Sequence, residues 1–441
     1  MKKIKNRIQN QFKDTHRKDI LFKSGFFIVF KVIGILGGYL FTYNIAQNYG
    51  ASLNGLVNLS LSVFMIASTF GTLGIDVNLV KYFSAPEKWK DDPGLFYKVV
   101  LKSLILTLVL TFILYLCRDL VVIKLFKKPQ LSSIYVWAVC SIPGWTLIRN
   151  FSGVLRAKGL NNWFSFFQNA SRFTLAYFIL VSFNIIKLDS LNAIKAHFFA
   201  IYILVVLGFI VVVYNFKKLS FRSTSNSWQF LKEAFPMFLS STIMVFLGWV
   251  DSFILGIYVS DEAIGVYGIA LKLAMICAFS MEAINSGLAP KIANLYREGK
   301  RVEFKKLVNF AAKINFLITA AIVIAVIITN KWLLGLFGEE FMQGTTVLLI
   351  LCSIHLINSA MGSSAIIMQM TGYQKQYRNI ALLSLGVNLI LNFALIPKFG
   401  ITGAAIATAI SFTIWNISSV VFLKRKENII TYFNPFYKMN K

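Results

Sequence analysis

From Phe22 onward the chain is a succession of apolar runs, each about as long as the roughly 20 residues a helix needs to cross a hydrocarbon core. Twelve can be delimited: 22–46, 53–80, 96–117, 131–155, 162–184, 197–216, 233–258, 263–289, 307–329, 343–370, 377–397 and 402–423. Lipid offers nothing to satisfy backbone N–H and C=O groups, so only helices and closed barrels span it. The alternating polarity of barrel strands is missing from the runs. An all-α polytopic membrane protein with about twelve transmembrane helices is therefore expected. Composition agrees, since only 14% of the 441 residues are charged against about 25% in soluble domains.

The formal charge of +27 raises nucleic acid as a partner, but its distribution argues against that. Most Lys and Arg fall in the two tails and in alternate loops, which is the positive-inside pattern of a cell (cytoplasmic/inner) membrane protein with both termini cytoplasmic. Aromatic residues are not interleaved with basic ones as in a nucleic-acid groove. The tails are placed to meet anionic headgroups, making membrane lipids expected partners. The opening stretch MKKIKNRIQNQFKDTHRK precedes a long span without a small-residue cleavage site, so a retained first helix is expected rather than a signal peptide. Cys117, Cys140, Cys277 and Cys352 lie in or at the ends of runs with no CxxC spacing, and read as small buried hydrophobes.

All loops are short. The longest connection on the basic side, NFKKLSFRSTSNSWQFLKE, falls midway between runs six and seven. It predicts an N-terminal lobe over 1–225 (helices 1–6) and a C-terminal lobe over 226–441 (helices 7–12). The halves echo each other. Under a shift of about 210, Gly50 and Gly55 fall on Ser260 and Gly265, and Lys81 on Lys291; under 213, Gly159 meets Gly372. An even number of spans per half gives both lobes one orientation, the parallel repeat of transporters that rock two halves about a midplane site. Gly34 and Gly38 in GILGG are spaced for close helix packing.

Charge inside a span costs about 2.5–3.5 kcal/mol on the most lenient scale, so such residues usually face a cavity or a partner. Here they are Lys31, Asp76, Arg149, Arg172, Asp251, Lys272, Glu282 and Lys313. Asp76, within about 7 Å of Lys81 along a helix, and Lys313, near the start of its span, are close enough to the interface to reach it. Lys31, Arg149, Arg172 and Lys272 are candidates for binding an anionic group. Counted at 1.5 Å per residue from the span ends, Asp251 and Lys272 lie about 10 and 13 Å deep. They read either as a fixed helix clasp or as a cavity pair whose carboxylate exchanges its partner for a proton or sodium ion. Glu282, ten positions beyond Lys272 and on the same projected face, is a second ion-coupling candidate or a partner for Arg149. His355 reads as a packing residue.

HExxH, GxxxxGK[ST], GxSxG and paired carboxylates on a polar loop are missing, so membrane protease, ATPase and transferase readings lack their chemistry and an enzyme is not expected. No cofactor is expected beyond a coupling ion, H+ or Na+. The excess of positive charge at membrane depth fits an anionic substrate, phosphate being the commonest strong anion.

The run NLILNFALIPKFGITGAAIATAIS (388–411) resembles the signature of the polysaccharide flippases in the MOP transporter superfamily, relatives of multidrug MATE exporters and lipid II flippases. Asp251 followed by Gly256, GVYG at 265–268, Lys272, Pro290 in PKIANLYREGK and Gly372 in QMTGYQK are similar to that family and in its order. The resemblance implies two six-helix lobes in a V. It also implies ion-driven flipping of undecaprenyl-pyrophosphate-linked oligosaccharide repeat units for O-antigen, capsule or exopolysaccharide, alongside polymerase and assembly proteins. A small-molecule exporter of the MOP type, with a more acidic cavity, and a lipid II flippase, with more basic residues in span one, are the alternatives.

Overall fold

The computed structural model describes residues 15–84, 93–216, 221–223 and 225–433, with the side chains of 15–28, 93 and 286 outside that set. Most of the basic opening stretch, part of the central connection and the C-terminal residues 434–441 therefore lie outside the described residues. Among the described residues the protein is helical and has no strand.

Ten helices among them are long and apolar enough to cross a membrane, and length explains how ten carry twelve spans. The apolar part of α1 (Thr15–Thr72) runs for 44 residues from Val29, about 66 Å at 1.5 Å per residue, more than twice a hydrocarbon core of about 30 Å. It must turn back, and does so at Gly50, whose φ of 76° and ψ of −175° are non-helical. A side chain rarely adopts such a φ, so glycine sits where the reversal is. The last helix, α15 (Gln374–Glu427), is 54 residues long and breaks in the same way at Gly400, φ 54°. Both breaks fall between runs delimited above.

The helices between them are α2 (Ile75–Phe83), α3 (Pro93–Leu116), α4 (Leu131–Cys140), α5 (Ile142–Ala157), α6 (Asn161–Ser165), α7 (Ser171–Ile186), α8 (Asn192–Phe216), α9 (Ser227–Tyr258), α10 (Asp261–Met275), α11 (Phe279–Arg297), α12 (Arg301–Gly335), α13 (Thr345–Met361) and α14 (Ser364–Met370). They form two compact units. One contains Met1–Asn44, Val63–Ile123 and Lys128–Thr242; the other contains Ile45–Ser62, Lys124–Lys127 and Ile243–Lys441. The middle of α1 thus belongs to the second unit and the first half of α9 to the first.

In the first unit, Phe64, Trp145, Phe151, Phe167 and His197 are buried. Here Gly34 and Gly37 are the residues that let α1 approach its neighbour. A β-carbon at Gly34 would overlap the Asn169 carbonyl and one at Gly37 would overlap Thr174, whereas Gly38 has only the Phe173 ring, at 3.9 Å. The expected pair Gly34 and Gly38 is corrected accordingly. α1 stops at Thr72 because Leu73 and Gly74 take φ values of 46° and 68°. What reads as one span to residue 80 is therefore a helix, a break and the short α2.

In the second unit, Leu288, Ile292, Phe304, Val308, Ile367 and Leu423 form a hydrophobic cluster. A second contact carries the repeat. A β-carbon at Gly55 would overlap the carbonyl oxygen of Asp261, and one at Gly265 would overlap that of Ala51. Under a shift of 210, Ala51 becomes Asp261 and Gly55 becomes Gly265, so the contact maps onto itself. Asn58 and Gly268, which the same shift relates, also touch, and Asn54 donates to the Gly265 carbonyl at 3.3 Å. The turns at Gly159 and Gly372 match as well. Both glycines have positive φ, 77° and 92°, and in both the next residue closes a bond six residues wide, Leu160 to Leu155 and Tyr373 to Met368, each 2.9 Å. This is the Schellman termination that favours glycine.

Candidate functional site

A charged site can be built up in each unit. In the first unit, Lys31 and Gly34 of α1, Met65 at its far end, Trp145 and Arg149 of α5, and Arg172 and Phe173 of α7 line a cavity of about 470 Å³. Residues 166–170, a π-helical turn immediately before α7, add Gln168 and Asn169 to the wall. Such turns re-aim a helix and recur at functional sites. Three of the four basic residues singled out from the sequence, Lys31, Arg149 and Arg172, are brought together here.

Arg172 meets no carboxylate among the described residues. Its guanidinium lies 4.2 Å from the Phe173 ring centre, 4.6 Å from Trp145 and 5.8 Å from Phe64, and Nη1 approaches the Met65 sulfur at 3.3 Å. Aromatic faces stabilise a desolvated cation by about 2 kcal/mol, but they leave its net charge uncompensated. A guanidinium held this way keeps its planar fork of donors without a carboxylate to fill it. Behind it sits His197, fully buried with neither ring nitrogen hydrogen bonded, edge-on to Phe64 at 5.1 Å. Sequence reading considered His355 and passed over His197, which lies at the start of an apolar run with no polar neighbour in register.

Arg149 is different. Its Nη2 and Nε donate to Asp76 Oδ2 at 2.6 and 3.1 Å. Asp76 is only 7% exposed, which corrects the expectation that it reaches the interface. The break at Leu73–Gly74 starts a new helix whose first turn carries Asp76 inward, with its carboxylate favoured by the helix dipole. The acid that Arg149 meets is thus Asp76, not Glu282.

In the second unit the question raised by a bare acid in LGWVDSFILG (247–256) has a clear structural answer. Asp251 is 6% exposed and its carboxylate accepts from Tyr267 at 2.8 Å, Asn392 at 2.7 Å and the Thr408 hydroxyl. Asn388 and Ser411 complete the network: Asn392 donates to Asn388 Oδ1 at 3.0 Å, and Asn388 donates to Thr408 at 3.4 Å and to Ser411 at 3.3 Å. These four α15 residues are polar positions of the 388–411 run; Asn392 and Thr408 reach the carboxylate directly, and Asn388 and Ser411 stand behind them. Asn392 Oδ1 is buried without a partner.

The pairing of Asp251 with Lys272 is therefore corrected. From Tyr258 back to Asp251 is about 10 Å, and from the start of α10 at Asp261 to Tyr267 is about 9 Å, whereas Lys272 lies about 16 Å along α10. Tyr267 stands opposite the acid and Lys272 has passed it by more than a turn. A 3-10 turn at Ile276–Ala278 separates α10 from α11, and three residues wound at 3.0 rather than 3.6 per turn advance the phase by about 60°, which leaves Lys272 and Glu282 near one projected face. Lys272 is half-buried and Glu282 exposed.

Comparison with known proteins gives the context. A family model described as polysaccharide biosynthesis protein matches residues 23–296, and one described as MatE matches 236–394. The chain is similar to the probable low-salt glycan biosynthesis flippase Agl15 of Haloferax volcanii, 26% identical over 45% of this chain and 42% of that one. It is also similar to the capsular polysaccharide biosynthesis protein CapF of Staphylococcus aureus, 30% identical over 37% and 41%. The chain thus spans less than half the length of these two relatives. Among solved structures, the lipid II flippase MurJ in an inward closed conformation aligns with a TM-score of 0.72 at 16% identity, covering 92% of this chain and 87% of that one. An inward-facing MATE family multidrug transporter of the MOP superfamily aligns at 0.66 and 16%, covering 91% and 98%. At those identities the likeness is one of fold.

Proposed function

Because the chain belongs to the polysaccharide biosynthesis protein family, we propose that it is a flippase for undecaprenyl-pyrophosphate-linked oligosaccharide repeat units. It moves them from the cytoplasmic to the outer leaflet of the cell membrane for surface polysaccharide assembly. The observation that carries this reading is Arg172, half-buried among rings on a cavity it shares with Lys31 and Arg149 and without a carboxylate. The cationic wall favours a phosphate-bearing substrate over the cationic compounds a drug exporter takes up.

The coupling ion, H+ or Na+, is assigned to Asp251. Two carboxylate oxygens, the Asn388 and Asn392 carbonyls and the Thr408 hydroxyl gather hard oxygen ligands in one place, which suits a small cation. Rotation of the Asn392 amide exchanges its donor nitrogen for the partnerless oxygen, converting a shell for a bare carboxylate into one for a carboxylate holding an ion. Lys272 adds a cation for the substrate and Glu282 a second acid for the ion. Alternating access by lobes 1–225 and 226–441, with both termini cytoplasmic, lets the ion gradient drive the cycle. Polymerase and assembly proteins take over the flipped unit.

The test is complementation in a strain lacking its own flippase. Restored surface glycan, with loss of the lipid-linked repeat unit that accumulates inside, is the expected result. Drug efflux without glycan export would replace this reading with that of an exporter.

A further inference from the structure

The cavity lined by Arg172 has a neighbour in the same unit. A second cavity of about 380 Å³ is lined by Asp76, Val80, Lys81, Arg156 and Phe164 among others, and Gln168 lines both. Arg149 faces the first cavity and Asp76 the second, so the ion pair between them stands in the dividing wall, beside a Gln168 that is fixed by its bond to Ser152 at 2.6 Å.

That pair is half made. An arginine fork grips a carboxylate best through both oxygens, but here Nε and Nη2 both donate to Oδ2, and Oδ1 is buried with no hydrogen-bond partner. An orphaned buried acceptor is itself destabilising. A phosphate group presents more oxygens and more charge to the same fork. Lys81 and Arg156 are exposed on the far side of the wall and meet no carboxylate among the described residues; Arg156 only overlies the Phe164 ring at 4.8 Å.

We propose that Asp76 is an exchangeable counter-ion for Arg149, and that the two cavities are successive stations for a phosphate-bearing group. The phosphate is held first by Lys81 and Arg156. It then displaces Asp76 from Arg149 and comes to rest against Arg149, Arg172 and Lys31, while the released carboxylate turns to the Lys81 and Arg156 that the phosphate has left. Each charge keeps a partner throughout, which is what passage of a dianion through a low-dielectric wall requires. The inference rests on the phosphate reading above.

The experiment uses the purified full chain in lipid nanodiscs and inorganic pyrophosphate as the probe, with binding read by calorimetry. Asp76→Asn removes the internal competitor and is expected to tighten pyrophosphate binding about tenfold while slowing glycan export. Combined with Arg149→Gln, the same substitution is expected to bring no gain. Unchanged or weaker binding in folded Asp76→Asn would overturn the proposal and make the pair a helix clasp. Should that variant not fold, Lys81→Gln with Arg156→Gln, both at exposed positions, decides: about tenfold weaker binding supports the relay and parental binding overturns it. Loss of the broader reading looks different, because the parent chain would then bind no pyrophosphate and support no glycan export.

Discussion

The first unit sets Arg172 against aromatic rings at the wall of a cavity of about 470 Å³, whereas the second closes Asp251 inside hydroxyls and amides from α10 and α15. Both are charges at membrane depth, but they are compensated in opposite ways. Rings stabilise a cation without neutralising it, so Arg172 keeps its appetite for an anion. The neutral donors around Asp251 satisfy its lone pairs one by one, so an added ion must rearrange the shell rather than enter an open space. One charge borders an open cavity and the other is enclosed by its hydrogen-bond partners.

The comparison breaks most visibly at Asp251. Exchanging the charges, Asp251→Lys with Lys272→Asp, puts an ammonium among groups arranged to donate to it. Leaving a buried charge without its partners costs about 3–5 kcal/mol, so folded protein in fluorescence-detected size exclusion is expected to drop more than tenfold. Parental abundance in that double variant would make Asp251 and Lys272 partners after all. Arg172→Ala comes next: surface glycan is expected to fall at least tenfold with nearly parental protein abundance, because relief of a buried uncompensated charge offsets the lost ring contacts. Arg172→Lys, which keeps charge but not the planar fork, should fall between. Undiminished glycan in Arg172→Ala would reduce the cavity to a packing defect.

Asp251→Asn sharpens the contrast with a smaller effect on stability. The Tyr267 and Thr408 hydroxyls can turn from donor to acceptor, so a loss of no more than about 2 kcal/mol is expected, read as a modest fall in melting temperature. Export should lose its response to an ionophore that collapses the ion gradient; a response equal to the parent's would remove Asp251 from coupling. The smallest effects belong to Gly159→Ala and Gly372→Ala. A β-carbon at either meets nothing within 4 Å, so only the left-handed φ is penalised, about 1–2 kcal/mol. Equal losses in chemical denaturation would match the equivalence of the two turns, and a disparity beyond 1 kcal/mol would set them apart.

Much of the fold is legible because lipid permits so little. A 44-residue apolar helix has to reverse, and Gly50 stands between two spans where the reversal is needed. Lys31, Arg149 and Arg172 are equally conspicuous, since a cation in an apolar run demands a reason. The companions of Asp251 are not. Asn388, Asn392 and Thr408 lie 137 to 157 residues further along, in a run where small polar side chains are ordinary packing residues, and only the fold of α15 against α9 and α10 aims them at one carboxylate. Asp76 misleads for a local reason. Its distance from Lys81 along α2 is as counted, but the two positive-φ residues before it start a new helix that aims its carboxylate at Arg149, 73 residues further along.

The crossing of Gly55 with Gly265 pairs Gly55 with Asp261 and Gly265 with Ala51. In a shared numbering, residue i touches j while j touches i, the reciprocity that a two-fold axis imposes on an isologous dimer interface. A half-length chain carrying this glycine would present a self-complementary surface to a second copy of itself. Joined in one polypeptide, the two halves are free to differ elsewhere: one carries Lys31, Arg149 and Arg172, the other Asp251. At the crossing they stay bound by the old rule, because bulk added to either glycine strikes the backbone of its twin.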